Sequence, residues 1–169
     1  LQHPGIVPVY ELGLMADERP YFTMKLIKGR TLAALLAQRT SPGDNRGKLL
    51  SIFESVCQTV AYAHSKGVLH RDLKPANVMI DGRGRVRITD FGLAGLADSF
   101  HAGEIRAGTP AYMAPEQLAG QAVTIRSDIY ALGLVLMAHS PTPAVFVFSA
   151  GILVGMGLSG TTFSTIYGE

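Results

Sequence analysis

The strongest constraint on this chain is the block from His70 to Glu116. It opens with His70-Arg71-Asp72-Leu73-Lys74-Pro75-Ala76-Asn77, continues to Asp90-Phe91-Gly92 and ends at Ala114-Pro115-Glu116. Between the first two motifs lies a hairpin pattern. Val78-Met79-Ile80 is a short apolar run, Asp81-Gly82-Arg83-Gly84 breaks it, and Val86-Arg87-Ile88-Thr89 alternates apolar with polar. Such a pattern predicts two strands joined by a tight turn. The turn folds the second strand back beside the first and so carries Asp90 towards Asn77. Lys74, two residues after Asp72, can project into the same cleft as that acid.

Three motifs in this order, at these gaps, resemble the catalytic core of a protein kinase. Residues from about Leu1 to Leu136 resemble a eukaryotic-type serine/threonine protein kinase of the kind found in bacteria. The likeness also rests on Leu1-Gln2-His3-Pro4-Gly5-Ile6-Val7, on Gly108-Thr109-Pro110-Ala111-Tyr112-Met113-Ala114-Pro115-Glu116-Gln117, and on Ser127-Asp128-Ile129-Tyr130-Ala131-Leu132-Gly133. It implies an α+β, protein-kinase-like fold, and transfer of the γ-phosphoryl of ATP to Ser or Thr hydroxyls of a protein substrate. Such chemistry asks for a positioned hydroxyl, a clamped triphosphate and cations that absorb charge. By the resemblance, Asp72 is the catalytic base and Lys74 contacts the phosphate. Lys74 also favours Ser/Thr over Tyr specificity. Asn77 and Asp90 are the implied Mg²⁺ ligands, and oxygen donors suit that hard cation.

The resemblance implies further roles. Met24 falls at the gatekeeper, and Lys25 to Ile27 at the hinge whose backbone bonds adenine. Met79 is to sit under the base. His70 and Phe91 resemble members of a stacked spine, and Asp128 the buried helix aspartate that holds the His-Arg-Asp backbone. Thr109 is to pack beside Asp72 and Lys74. Met24 and Met79 also suit simple gap-filling in a core, and Asp128 and His70 suit structural rather than catalytic duty. Arg71 is the cation that would pair with a phosphate on the segment Leu96 to Ala107. Ser99 there reads first as an ordinary solvated serine and only second as a phosphosite.

Around the motifs, Val7 to Leu14 and Pro20 to Leu26 predict a hairpin with Ala16-Asp17-Glu18-Arg19 as its polar turn. Thr31 caps a short helix through Gln38, and Thr40 to Asn45 is a loop. Leu49, Phe53, Val56, Val60 and Ala63 mark one face of a long helix that stops at Gly67. The boundaries expected are a partial kinase domain over 1–138, with the rear of the small lobe and hinge at 1–28 and the large lobe at 29–138. A linker at 139–143 and an apolar tail at 144–169 follow.

The tail differs in kind. From Ile129 to Gly168 there is no Asp, Glu, Lys or Arg. A membrane span needs about 20 such residues, and Gly151 with Gly155 forms a G-x-x-x-G pair. A C-terminal transmembrane helix is therefore expected over 144–167, with membrane association through it and a cytoplasmic kinase portion. A buried soluble segment is the competing reading. Gly151 to Leu158 loosely resembles a helix of major-facilitator transporters. A fusion, a truncated gene or a chimeric reading frame would account for the junction.

At 169 residues the chain is shorter than a full kinase domain, and no glycine-rich loop or strand lysine appears before Met24. An incomplete domain is expected: the end of the small β lobe plus the first half of the helical lobe, inactive alone. Glu116 is expected to lack its usual arginine partner. Net charge is +2 with five His neutral, which suggests no nucleic-acid partner. Cys57 is the only cysteine, so no intrachain disulfide forms, and a packed apolar role is expected of it. The rival function is a pseudokinase, a nucleotide-binding interaction module without turnover, which Asp72, Lys74, Asn77 and Asp90 together disfavour.

Overall fold

A computed structural model describes residues 1–17, 19–41, 43–91 and 110–138. The elements run β1 (Val9–Leu14), β2 (Pro20–Met24), β3 (Gly29–Thr31), α1 (Leu32–Ala37), α2 (Arg46–Ser65), β4 (Val78–Asp81), β5 (Val86–Ile88), α3 (Pro115–Leu118) and α4 (Ile125–Ala138). Short 3-10 turns occupy Pro75–Asn77 and Pro110–Tyr112.

β1 and β2 form an antiparallel hairpin that pairs Val9 with Met24 and Leu14 with Pro20. It starts two residues later than the pattern predicts. The Val7 N–H donates instead to the Ile88 carbonyl at 3.0 Å, so Ile6 and Val7 run parallel to β5 as an extra edge of the second sheet. Pro8, with no N–H, separates the two allegiances. Many apolar side chains of the hairpin stay exposed, among them Tyr10, Leu12, Leu14 and Phe22. The second sheet has the order β3-β4-β5, antiparallel throughout, with Met79 paired to both Thr31 and Arg87. The Asp81 carboxylate accepts from the Arg83 and Arg85 N–H groups and ties down the β4–β5 turn.

The core lies between this sheet, α2 and α4. Leu32, Leu49, Ile52, Val56, Val60, Leu73, Val78, Ile80, Ile88, Ala131 and Val135 form it. The expected face of α2 is the buried one, with Ile52 and Thr59 added and Phe53 only partly buried. The helix ends as its glycine predicts. Gly67 takes φ 71°, its N–H bonds to the His64 carbonyl at 2.9 Å, and the Val68 N–H bonds to the Ala63 carbonyl at 3.0 Å. That pair of bonds is a Schellman stop. The Thr31 hydroxyl caps α1 by accepting from the Ala34 N–H at 3.1 Å. In the loop before α2, the Asp44 carboxylate accepts four bonds from Thr40 and Ser41, and these hold its pKa well below the ordinary carboxylate value. Cys57 is half-buried, and burial pushes its thiol pKa up, which suits packing rather than reactivity.

Gly92, Ser99, Thr109, the linker and the apolar tail lie outside the described residues. Among the described residues, no helix is long and apolar enough to cross a membrane.

Candidate active site

The site forms where the loop after α2 meets the open edge of the hairpin. Leu73 is 1 % exposed and anchors that loop in the core, so its polar neighbours turn outward. The Asp72 carboxylate receives two donors on Oδ2: Lys74 Nζ at 2.7 Å and Asn77 Nδ2 at 3.1 Å. Asn77 Nδ2 also donates to the Asp72 carbonyl at 2.8 Å. Asn77 thus spends its N–H groups on Asp72, and its side-chain oxygen is left as the atom suited to a cation. The Thr89 N–H donates to the Asn77 carbonyl at 3.0 Å. The Thr89 hydroxyl stands 3.2 Å from Asp90 Oδ2. The hairpin therefore joins Asn77 to Asp90 as its pattern predicts. Hard oxygen donors from one amide and one carboxylate fit Mg²⁺ held jointly with substrate phosphates and water. Among the described residues, no group of three acidic, His or Cys side chains that could hold a metal ion is present.

The loop carrying Asp72 is held from beneath. Asp128, 1 % exposed, accepts from the His70 N–H and the Arg71 N–H, both at 2.8 Å, and lies 2.7 Å from His64 Nε2. His70 is buried, with its ring centroid 4.7 Å from that of Phe91. Its Nε2 faces the Thr89 carbonyl at 2.9 Å, while Nδ1 faces the Asp72 N–H at 3.3 Å. A carbonyl only accepts and an amide only donates, so the ring is the neutral Nε2–H form. Burial pushes its pKa below the ordinary value, against the pull of the Asp128, Asp72 and Asp90 carboxylates. His70 is therefore a packed, neutral side chain beneath the loop.

Arg71 and Asp90 take φ of 71° and 63°, a region non-glycine residues seldom enter. Both flank the site, where such strain tends to collect.

At the hinge position, the Lys25 N–H is taken by the Pro8 carbonyl at 3.0 Å. Among the described residues, the Lys25 carbonyl and the Ile27 N–H have no hydrogen bond, so both can address a planar base. Met24 is 38 % exposed at the end of β2, and Met79 is partly buried on β4.

Glu116, expected to lack its usual arginine, has a serine hydroxyl instead. It is only partly buried, and its Oε1 accepts from the Ser127 hydroxyl at 2.6 Å. It therefore has a neutral partner within the chain instead of standing unpaired. Three residues that sequence reasoning left unassigned also belong to the site's support: His64, Ser127 and Gln117. Gln117 Nε2 donates to the Arg71 carbonyl at 2.8 Å, and its Oε1 accepts from the Ala114 N–H at 3.1 Å. Its place as third residue of a helix opened by proline was the one local sign.

The protein kinase domain model matches residues 1–160 of the chain. The chain belongs to the protein kinase family. The match runs past Leu136 into residues read from the sequence as linker and tail, which favours a kinase over a transporter origin for that stretch. The chain is 40% identical over 166 residues to the serine/threonine-protein kinase PknD of Protochlamydia amoebophila, covering 80% of this chain and 17% of that protein. It is 43% identical over 140 residues to the DNA damage-responsive serine/threonine-protein kinase RqkA of Deinococcus radiodurans, covering 80% of this chain and 21% of that one. The kinase domain of PknI from Mycobacterium tuberculosis superposes with a TM-score of 0.66 at 34% identity, over 83% of this chain and 53% of that one. The chain thus spans about a fifth of the length of these curated relatives.

Proposed function

We propose that this kinase-family chain supplies the catalytic centre for transfer of the γ-phosphoryl group of ATP to a Ser or Thr hydroxyl of a protein. The observation that carries this is the Asp72 carboxylate, held between Lys74 and Asn77 while Thr89 links Asn77 to Asp90. A substrate hydroxyl placed beside Asp72 loses its proton to that carboxylate as its oxygen bonds to the γ-phosphorus. The bond from that phosphorus to the bridging oxygen breaks, and ADP leaves. Lys74, already 2.7 Å from Asp72, lies where it can balance negative charge on the transferring group. Mg²⁺, when bound by Asn77 and Asp90, neutralises charge on the phosphates. The Lys25 carbonyl and the Ile27 N–H orient the adenine. The pseudokinase reading is disfavoured because Asp72, Lys74, Asn77 and Asp90 are all present and, apart from the Mg²⁺, already joined by hydrogen bonds.

The test is incubation of a complete kinase domain carrying these residues with γ-labelled ATP, Mg²⁺ and a general protein substrate, followed by acid hydrolysis of the product. Label in phosphoserine or phosphothreonine supports the proposal. Mg²⁺-dependent ATP binding without any label in protein would replace it with the pseudokinase reading.

A further inference from the structure

Five backbone groups around Asp72 end on side chains. The N–H groups of His70 and Arg71 go to Asp128, the Arg71 carbonyl to Gln117, the Asp72 N–H to His70 Nδ1, and the Asp72 carbonyl to Asn77. Arg71, in the middle, holds a left-handed φ of 71°. A non-glycine residue stays in that region only when its surroundings determine it from several sides. Asp128 grips the N–H side of Arg71. Gln117 grips its carbonyl, which belongs to the peptide unit shared with Asp72. Rotation of that peptide unit would swing the Asp72 carboxylate away from Lys74 and Asn77. The Gln117 amide is also committed in one direction. Its oxygen accepts from the Ala114 N–H, so its NH₂ must face Arg71.

We propose that Gln117 is a positioning residue for Asp72, coupling the Ala114–Gln117 segment to the orientation of the catalytic base. The proposal rests on the phosphoryl-transfer reading of the site. Gln117 touches neither nucleotide nor hydroxyl in this role; it acts through the Arg71–Asp72 peptide unit. The competing role is local: Gln117 closes the first turn of α3 and does nothing more.

Gln117→Glu separates the two. A glutamate at this place still accepts from the Ala114 N–H, so the helix start is kept, but its ionised carboxylate cannot donate to the Arg71 carbonyl. Positioning predicts that kcat falls about tenfold, the size of one neutral hydrogen bond lost at the site, while KM for ATP is unchanged. Amide exchange at Arg71 and Asp72 should quicken by a similar factor. Gln117→Met, neutral and of similar length, should show the same exchange and kcat changes. Wild-type kcat and wild-type exchange in Gln117→Glu would overturn the proposal. If a complete kinase domain carrying these residues with wild-type Gln117 transfers no phosphate at all, the function proposed above fails, and the exchange measurement still decides whether Gln117 holds the loop.

Discussion

Replacing Asp128 by Ala is expected to cost more stability than any other single polar change among the described residues. The carboxylate is 1 % exposed and serves three donors: two backbone N–H groups at 2.8 Å and the His64 ring at 2.7 Å. Truncation strands both N–H groups away from water, at ~1–3 kcal/mol each. The His64 side chain is 15 % exposed and can turn partly to solvent, so its share is smaller. Together these give ~3–5 kcal/mol, the range seen when one partner is deleted from a buried charged network. Domains are stable by about 5–15 kcal/mol, so the variant stands close to unfolding. With a urea slope of about 2 kcal/mol/M, the midpoint should drop by roughly 2 M in a circular-dichroism titration. Asp128→Asn keeps one acceptor oxygen and should lose about half as much. A midpoint shift under about 0.5 M for Asp128→Ala would refute the claim that this carboxylate holds the His70–Asp72 loop.

Two further outcomes follow from the geometry. His70 is buried neutral, with its folded pKa pushed below 6.5. The unfolded chain therefore binds the extra proton first, and stability present above pH 6.5 should decline as pH falls through the folded pKa. His70→Phe should flatten that acid limb in thermal melts from pH 7 to 5, whatever its absolute stability; an unchanged slope would contradict the assignment. Gly29 lies against β4 so closely that an added Cβ would fall 2.1 Å from the Ile80 carbonyl oxygen. Gly29→Ala should therefore displace β3 and cost ~1–3 kcal/mol, read as a lowered urea midpoint.

What the sequence disclosed was what is local. Period 3.6 and the glycine at 67 predict α2 and its stop, because both depend on neighbours within two turns. The strand–turn–strand pattern between Asn77 and Asp90 predicts the convergence of the site for the same reason. The start of β1 did not follow from pattern, since Ile6 and Val7 choose β5, a partner more than 80 residues away. His64 and Ser127 were missed because nothing near them in the chain marks their partners, and the one local sign at Gln117 marks Ala114 but not Arg71. His64 and Asp128 are 64 residues apart, and Gln117 and Arg71 are 46 apart. The serine partner of Glu116, from α4, was not legible either, because charge reasoning looks for an arginine rather than a hydroxyl.

The most direct test of the catalytic centre is Asp72→Asn in a complete kinase domain carrying these residues, assayed for phosphate transfer and for Mg²⁺-dependent ATP binding in parallel. Asparagine keeps the shape and an acceptor for Lys74 but cannot take the hydroxyl proton. A fall in kcat of at least about a hundredfold, within the usual span for a general base, with nucleotide affinity retained, is the expected result. Turnover unchanged from the wild type would show that Asp72 is not the base.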